Sequence, residues 1–342
     1  MRTLAERAGV SSATISLALR GHPRISAATR RRILRLAEQL GYRPDPSIAK
    51  LMLHLRTRRP PGFQSLLAAL TTVPEAEEQP YLRELRRSAQ ARAEALGYGL
   101  TVLRVAADAA RRPDLERMLR ARGVDGILLL PMAAPREFRP LLDWRKFSVV
   151  SATNAVLAPQ FHRVVPHQFS NALLLCEELT RRGYRRLGLV MNSRHDLTVG
   201  HGPSAAVVWQ NMLGGTERVM PLIFDPAGAG DLREWFERER PDAIIAEGAD
   251  NAQDIARQLG LRVPGPVGFV TTNRSGPSVF AGIEERPDEI GAAAIRLLTS
   301  LIQHGEKGIP KVPTVTMVAG AWVEGRSVRA PSRAAPRKAA TA

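Results

Sequence analysis

The stretch LAERAGVSSATISLALRGHPRIS, Leu4 to Ser26, contains two short helical patterns separated by a glycine. The apolar residues at 4, 5 and 8 share one helical face, and Gly9 then supplies the tight turn that joins two helices at a steep angle. Ser11 is suited to cap the second helix, which ends at the Gly-His-Pro sequence of residues 21–23. The stretch therefore predicts a pair of short helices joined by a turn.

A third helical pattern follows at once. Ser26 is a suitable N-cap, Gly41 ends the helix, and the apolar residues between them recur at helical spacing, namely Ile33, Leu36, Ala37 and Leu40. Three short helices in about forty basic residues are typical of a helix-turn-helix unit.

The second helix has two different faces. Ile15, Ala18 and Leu19 lie together and are expected to pack on the other two helices. The opposite face carries small or uncharged side chains until Arg20, and these residues are Ser12, Ala13, Ser16 and Leu17. Small side chains let a helix approach the major groove of DNA closely, where hydroxyls reach base edges and aliphatic groups cover thymine methyls.

The net positive charge of the chain is concentrated at its two ends. Residues 1–60 hold 13 Lys or Arg against 3 Asp or Glu, residues 325–342 hold 5 against none, and the segment between them holds 31 against 30. This distribution indicates an electrostatic module joined to a nearly neutral body. Its partner is a polyanion, and the charge alone leaves DNA, RNA and an anionic membrane open.

Residues 45–62 predict a hinge and linker. Asp45 and Pro46 suit the cap and first position of a new helix running toward Arg56. A detached helix of this length is marginal in water, so it needs its twin in a dimer or DNA to stabilise it. Its apolar stripe is formed by Ile48, Leu51, Met52 and Leu55, and a stiff basic Arg-Arg-Pro-Pro linker follows.

The N-terminal segment resembles the DNA-binding head of the lactose repressor (LacI) family of bacterial transcription regulators. The resemblance covers residues 1 to about 56 and is carried by LAERAGVSSATISLAL and TRRRILRLAEQLGYRPD. It implies a dimer that binds double-stranded DNA at a palindromic operator, with a small molecule controlling the affinity. The implied cellular location is the cytoplasm, at the nucleoid.

The resemblance also assigns roles to residues. Base reading falls on Ser12, Ala13, Ser16 and Leu17, and phosphate contacts on Ser11, Thr14, Arg20, Arg24, Ser26, Thr29 and Tyr42. The hinge helix places Ile48 and a wedge residue in the minor groove; the spacing from Pro44 favours Leu51 as the wedge, whereas the local IAKLM pattern favours Met52. Many family members carry Arg where this chain has Leu17, so a different operator half-site is expected.

The body alternates strand and helix patterns. Strands such as LLAAL, VDGILLLP and DAIIAE alternate with amphipathic helices, which predicts parallel sheets covered by helices. Together with the family resemblance, this predicts an all-α helix-turn-helix head (1–44) and hinge (45–62), joined to a two-lobed α/β core like that of periplasmic binding proteins (63–327). The chain is expected to cross between lobes near 165, 285 and 312, and a basic disordered tail is expected at 328–342.

Ligands of parallel sheets bind beyond the carboxyl ends of the strands. The polar residues at those ends are the effector-binding candidates: Asn154, His201, Glu247, Asp250, Asn273 and Glu285. Positions where the family commonly holds a sugar carry other residues, including Ala205 and Thr272, so the resemblance predicts a cleft without predicting a sugar in it.

Other functions find little support in the sequence. The AGAGD loop lacks the third glycine of a dinucleotide fingerprint, the seven histidines show no metal-ligand spacing, and no catalytic nucleophile motif is present. No enzyme activity, cofactor, metal or membrane span is therefore expected. The single Cys176 lies in an apolar helical pattern and is expected to be packed. Two alternatives remain: a DNA-binding regulator that has lost its effector, and a cytosolic solute-binding protein.

Overall fold

The structure is a computed structural model. It describes residues 5, 7–11, 14–15, 18, 25–39, 65–105, 112–138, 141–225 and 231–331.

The helices of the described residues are α1 (Ala27–Gln39), α2 (Pro80–Ala95), α3 (Pro113–Ala121), α4 (Gln168–Arg181), α5 (Ser193–Thr198), α6 (Gly202–Leu213), α7 (Leu232–Glu239), α8 (Ala249–Leu259) and α9 (Pro287–His304). Short 3-10 turns occupy Glu75–Glu77 and Trp144–Lys146.

The strands are β1 (Ser65–Thr71), β2 (Tyr98–Arg104), β3 (Val124–Leu129), β4 (Arg136–Glu137), β5 (Ser148–Ser151), β6 (Val156–Ala158), β7 (His162–Pro166), β8 (Leu187–Asn192), β9 (Leu222–Phe224), β10 (Ala243–Ala246), β11 (Gly268–Thr271), β12 (Ala281–Glu284), β13 (Val315–Val318) and β14 (Ala321–Val323).

Two six-stranded sheets form two lobes. The sheet of the N-terminal lobe has the order β13-β7-β5-β3-β1-β2 and is parallel throughout. The sheet of the C-terminal lobe has the order β14-β12-β11-β10-β8-β9, with only the β12–β14 pair antiparallel. The predicted two-lobed α/β core with parallel sheets is confirmed.

Both faces of the N-terminal sheet are buried, which explains the continuous apolar run of β1. Leu67 and Ala69 pack in one cluster with α2 and α9, while Ala68 and Leu70 pack in another with α3. Successive side chains of a strand point to opposite faces, so a strand covered on both sides needs apolar residues at every position.

The chain passes between the lobes three times. It leaves the N-terminal lobe after β7 and enters α4, returns after β12 into α9, and crosses again between β13 and β14. The third passage, at 319–320, lies later than the predicted 312 because Val315–Val318 first pairs with β7 as the edge strand of the N-terminal sheet.

The core also extends beyond the predicted boundary at 327. Val328 packs against the core of the C-terminal lobe, and the Arg329 guanidinium lies 4.4 Å from the centre of the Tyr184 ring. Residues 328–331 are therefore not part of a disordered tail, because an apolar side chain and a stacked arginine attach them to the lobe. The rest of the predicted tail lies outside the described residues.

The close contact between α2 and α9 depends on Gly291. A Cβ atom at this position would overlap the carbonyl oxygen of Leu85 and lie 3.0 Å from the backbone nitrogen of Ala89. Both neighbours are backbone atoms and cannot move aside cheaply. The two helices therefore have to separate if residue 291 carries a side chain.

We expect Gly291→Ala to lower the free energy of unfolding by about 1–3 kcal/mol because the added methyl group is overpacked. Helix propensity alone predicts the opposite, a gain of roughly 1 kcal/mol. Urea unfolding followed by tryptophan fluorescence measures the difference, with exposed Arg296→Ala in the same helix as the control. An increase in stability would show that the helices are not in close contact here.

Candidate functional site

A cleft of about 810 Å³ lies between the two lobes. Residues at the ends of parallel strands, or up to three positions beyond them, line it from both sides: Val73, Met132 and Asn154 from the N-terminal lobe, and Asn192, Glu247 and Asn273 from the C-terminal lobe. This agrees with the rule that ligands of parallel sheets bind beyond the carboxyl strand ends. We refer to this space as the interlobe cleft.

Four of the six effector-binding candidates line the interlobe cleft, namely Asn154, Glu247, Asn273 and Glu285. The structure does not bring the other two to its lining. His201 precedes α6 with a left-handed backbone (φ 58°), and its Nδ1 lies 2.6 Å from Oδ2 of Asp196. Asp250 is exposed in the first turn of α8. Proximity to a strand end in sequence did not determine which way these two side chains point.

Glu285 is the most deeply buried carboxylate of the cleft, with 5% of its surface exposed. It lies in the second passage between the lobes, and its Oε1 accepts a 2.6 Å hydrogen bond from Nε2 of Gln168 in the first passage. Burial raises the pKa of Glu285 to about 7, against the opposing effects of the Gln168 hydrogen bond and the charge of His195. Burial, together with the charge of Glu285, also raises the pKa of Tyr81 well above its usual value.

Glu247 has a different environment, because neighbouring side chains bind both of its carboxylate oxygens. His195 Nδ1 lies 2.8 Å from Oε1, while the side-chain amides of Asn192 and Asn251 donate to Oε2 at 3.2 and 3.1 Å. Its backbone carbonyl accepts a 3.1 Å hydrogen bond from the nitrogen of Asn273. The Glu247 carboxylate is thus already satisfied and mainly orders this side of the cleft.

Asn154 is held from the N-terminal lobe. Its Oδ1 accepts a 3.2 Å hydrogen bond from Nη1 of Arg163, whose pKa is lowered by burial. The amide nitrogen of Asn154 is not used in this hydrogen bond and remains a donor for a ligand.

Among the cleft residues that were not predicted from the sequence, Tyr81, Gln168 and His195 share a position. Each lies in the first turn of a helix at this edge of a sheet: Tyr81 in α2, Gln168 in α4 and His195 in α5. In a parallel sheet, the helix that follows a strand begins at the same edge as the strand ends. Polar residues in first turns, and not only at strand ends, are therefore the signal that would have identified them.

The described residues of the N-terminal segment form a small helical core. Ala5, Ala8, Ile15, Ala18, Ile33 and Ala37 are buried together. Gly9 has a positive φ of 63°, as expected for the turn between the first two helices.

Two serines cap helices of this segment in the same way. Ser11 Oγ accepts a 3.1 Å hydrogen bond from the Thr14 nitrogen, and Ser26 Oγ accepts a 3.2 Å hydrogen bond from the Thr29 nitrogen. Thr14 and Ile15 are helical, as is α1, so each serine brings a threonine hydroxyl and backbone N–H groups together at the start of a helical stretch, an arrangement that favours phosphate. The other predicted DNA contacts lie outside the described residues, and these are Ser12, Ala13, Ser16, Leu17, Arg20, Arg24, Tyr42, Ile48, Leu51 and Met52.

The described residues hold neither a metal-binding cluster nor a membrane-spanning helix. No group of three His, Cys, Asp or Glu side chains within them is arranged to hold a metal ion. No helix of the described ranges is long and apolar enough to cross a membrane. Cys176 is buried, and burial together with the charge of Glu177 raises its pKa to about 12.

Comparison with known proteins agrees with this architecture. Residues 1–45 match the family model of bacterial regulatory proteins of the lacI family, and residues 176–328 match that of a periplasmic binding protein-like domain. The transcriptional repressor PurR of Haemophilus influenzae (strain PittEE) is 23% identical over 327 residues, which cover 90% of this chain and 93% of PurR.

Solved structures share the fold across nearly the whole chain. A complex of the transcriptional regulator CelR with cellobiose is 19% identical with a TM-score of 0.56, covering 95% of this chain and 98% of CelR. The lac repressor dimer bound to operator and an anti-inducer is 18% identical with a TM-score of 0.54, covering 96% and 98%. The chain thus carries an N-terminal segment that matches the lacI family of bacterial regulatory proteins, followed by a two-lobed core whose residues 176–328 match a periplasmic binding protein-like domain.

Proposed function

We propose that the protein is a dimeric, sequence-specific DNA-binding repressor whose affinity for a palindromic operator is controlled by a small molecule in the interlobe cleft. It acts in the cytoplasm, at the nucleoid. The observation that carries this proposal is the match of residues 1–45 to the lacI family ahead of a two-lobed core. PurR, which is similar over most of its length, is itself a transcriptional repressor of helix-turn-helix type.

The charge distribution supports DNA as the polyanion. The first sixty residues carry 13 of the 49 Lys and Arg residues of the chain and only 3 of the 33 acidic residues. Ser11 and Ser26 act as N-caps in this segment, and helix N-termini combine N–H groups with positive dipole ends. Phosphate contacts of this kind position a protein on DNA, while base contacts supply the specificity.

The position of the cleft supports control by a ligand. It lies between the lobes, and it is lined by Gln168 and Glu285 from two of the three passages that connect them. The N-terminal lobe begins with β1 at Ser65, directly after the predicted hinge. A ligand that favours one angle between the lobes therefore changes the spacing of the two DNA-binding segments in a dimer.

The alternatives fit less well. A regulator that has lost its effector does not need a cleft of about 810 Å³ lined with polar side chains. A solute-binding protein does not need the basic N-terminal segment. We also expect no enzyme activity, since the similar proteins named above are transcription regulators.

Selection from a random DNA library with the full-length chain tests the proposed function. We expect a palindrome to be enriched, with half-sites spaced by about one helical turn or a multiple of it, because a twofold dimer presents two identical reading helices. Enrichment of no shared sequence, or of asymmetric single sites, would contradict a dimeric operator-binding protein.

The same selection tests the role of Leu17. We expect Leu17→Arg to enrich guanine at one position of each half-site. Arginine makes a bidentate contact with guanine, which favours it over the other bases by roughly 1–3 kcal/mol. Arg24→Ala, which removes a predicted phosphate contact, is the control and should weaken binding without changing the selected bases. Identical half-sites for Leu17→Arg and the unmodified chain would show that Leu17 does not read a base.

A further inference from the structure

We propose that the interlobe cleft binds a small organic cation, and that Glu285 binds its ammonium or amidinium group. The inference rests on the proposed function only in treating this cleft as the effector site. It names the chemical class of the effector, which the sequence patterns leave open.

The main observation is a buried carboxylate with too few partners. Glu285 is only 5% exposed, yet within the described residues its one hydrogen bond comes from Gln168 to Oε1. A buried carboxylate normally needs several donors or a cation to offset the loss of hydration. Both Glu285 and Gln168 line the cleft, so a ligand there has access to the incompletely bonded carboxylate.

The surrounding charges favour a positive ligand. The titratable groups that face Glu285 are Tyr81 from α2 and His195 from α5, and His195 is already 2.8 Å from Glu247. The other charged side chains of the lining, Glu77 and Arg194, are exposed. The lining thus contains three carboxylates, namely Glu77, Glu247 and Glu285, and two basic side chains, of which His195 is already paired with Glu247. An anion at Glu285 would therefore be repelled.

The lining also indicates the shape of the ligand. Apolar side chains of both lobes face the same space as Glu285, among them Val73, Leu82, Met132, Val165 and Val199. The lining also carries polar side chains such as Asn154 and Asn192. Its apolar part suits a ligand with one cationic group on an apolar body better than a sugar, which offers hydroxyls over most of its surface. A protonated amine or amidine of this form satisfies both the carboxylate and the apolar side chains.

The affinity for such a ligand should depend on pH. Glu285 has a pKa of about 7 without the ligand, and only its ionised form pairs with a cation. For a ligand that stays protonated, affinity is therefore about tenfold weaker at pH 6 than at pH 8. Because histidine can titrate in the same range, His195→Gln is needed as a check and should keep this dependence.

Thermal-shift and calorimetric titrations of the full chain test the proposal with three matched pairs of probes. The cations are butane-1,4-diamine, benzylamine and benzamidine, and their neutral counterparts are butane-1,4-diol, benzyl alcohol and benzamide. We expect at least one cation to raise the melting temperature while its neutral counterpart does not. If no cation exceeds its counterpart, the proposal is overturned.

The variants Glu285→Gln and Glu284→Gln separate the site from general electrostatics. Both remove one negative charge from neighbouring positions, but Glu284 is exposed and Glu285 is buried. We expect Glu285→Gln to weaken the cation by roughly tenfold to hundredfold, as the loss of a charge-assisted hydrogen bond implies, and Glu284→Gln to have little effect. Equal affinities of the two variants for the cation would exclude Glu285 as its binding group.

These measurements use no DNA. Failure of the chain to select an operator, with cation binding intact, would contradict the proposed function and leave the ligand class standing. Operator binding without any preference for the cations would contradict the ligand class and leave the proposed function standing.

Discussion

Replacing Glu285 with glutamine is expected to raise the free energy of unfolding by about 3 kcal/mol at pH 8. The pKa of Glu285 is about 7 in the folded chain, against 4.5 for an unperturbed glutamate. Each unit of pKa difference corresponds to about 1.4 kcal/mol between the two protonation states. Ionised Glu285 therefore opposes folding, and glutamine preserves its size and its ability to bond with Gln168.

The sign of this effect follows from proton binding. Between pH 4.5 and 7 the folded state holds the proton of Glu285 more tightly than the unfolded state, so stability is lost as pH rises through this range. The advantage of Glu285→Gln should grow from about 1 kcal/mol at pH 5 to about 3 kcal/mol at pH 8. Urea unfolding at both pH values, with Glu284→Gln as the control, measures it; a difference that does not change with pH would contradict the raised pKa.

Replacing Arg182 with alanine is expected to lower the free energy of unfolding by about 2–4 kcal/mol, because charge-assisted hydrogen bonds and a cation–π contact of one buried side chain are lost together. The Arg182 side chain is fully buried and pairs with Glu178 in α4 and, at 2.5 Å, with Glu324 after β14. Its guanidinium also lies 4.6 Å from the centre of the Trp322 ring. One side chain thus joins α4 to the last strand of the C-terminal lobe.

Arg181→Ala is the matched control for Arg182→Ala. Arg181 pairs with the same Glu178, but 40% of its side chain is exposed, so this ion pair is worth no more than about 1 kcal/mol. Unfolding in urea followed by tryptophan fluorescence measures both losses, and its signal includes Trp322, which lies against the Arg182 guanidinium. Equal losses for the two variants would mean that Arg182 does not join these elements.

The predicted architecture rested on local patterns, and these were sufficient where an element is buried in a regular way. The apolar runs of β1, β3 and β10 identified strands that the structure contains. Helix α9 was not predicted, although it packs on α2 across the N-terminal lobe. Its apolar residues Ile290, Ala294, Leu298 and Leu301 recur at helical spacing, so the helix itself has a local pattern. Its packing on α2, about two hundred residues earlier, leaves none.

The site could be predicted only in part for the same reason. Strand ends identified Glu247, Asn273 and Glu285, because parallel strands end at a common edge. The hydrogen bond from Gln168 to Glu285 joins residues 117 positions apart, and it depends on how two passages between the lobes lie side by side. The carboxylate was therefore predicted as a cleft residue, while its burial and its shortage of partners were not.

A mobility-shift titration of the full chain on the promoter region beside its own gene tests operator binding most directly. We expect binding to a palindromic site that is at least about 10³-fold tighter than to the same DNA with its half-sites scrambled. The affinity should also fall by about 10³-fold or more between 50 and 200 mM salt, because the basic N-terminal segment displaces counterions from the phosphates. Binding that ignores both the palindrome and the salt concentration would contradict the proposed function.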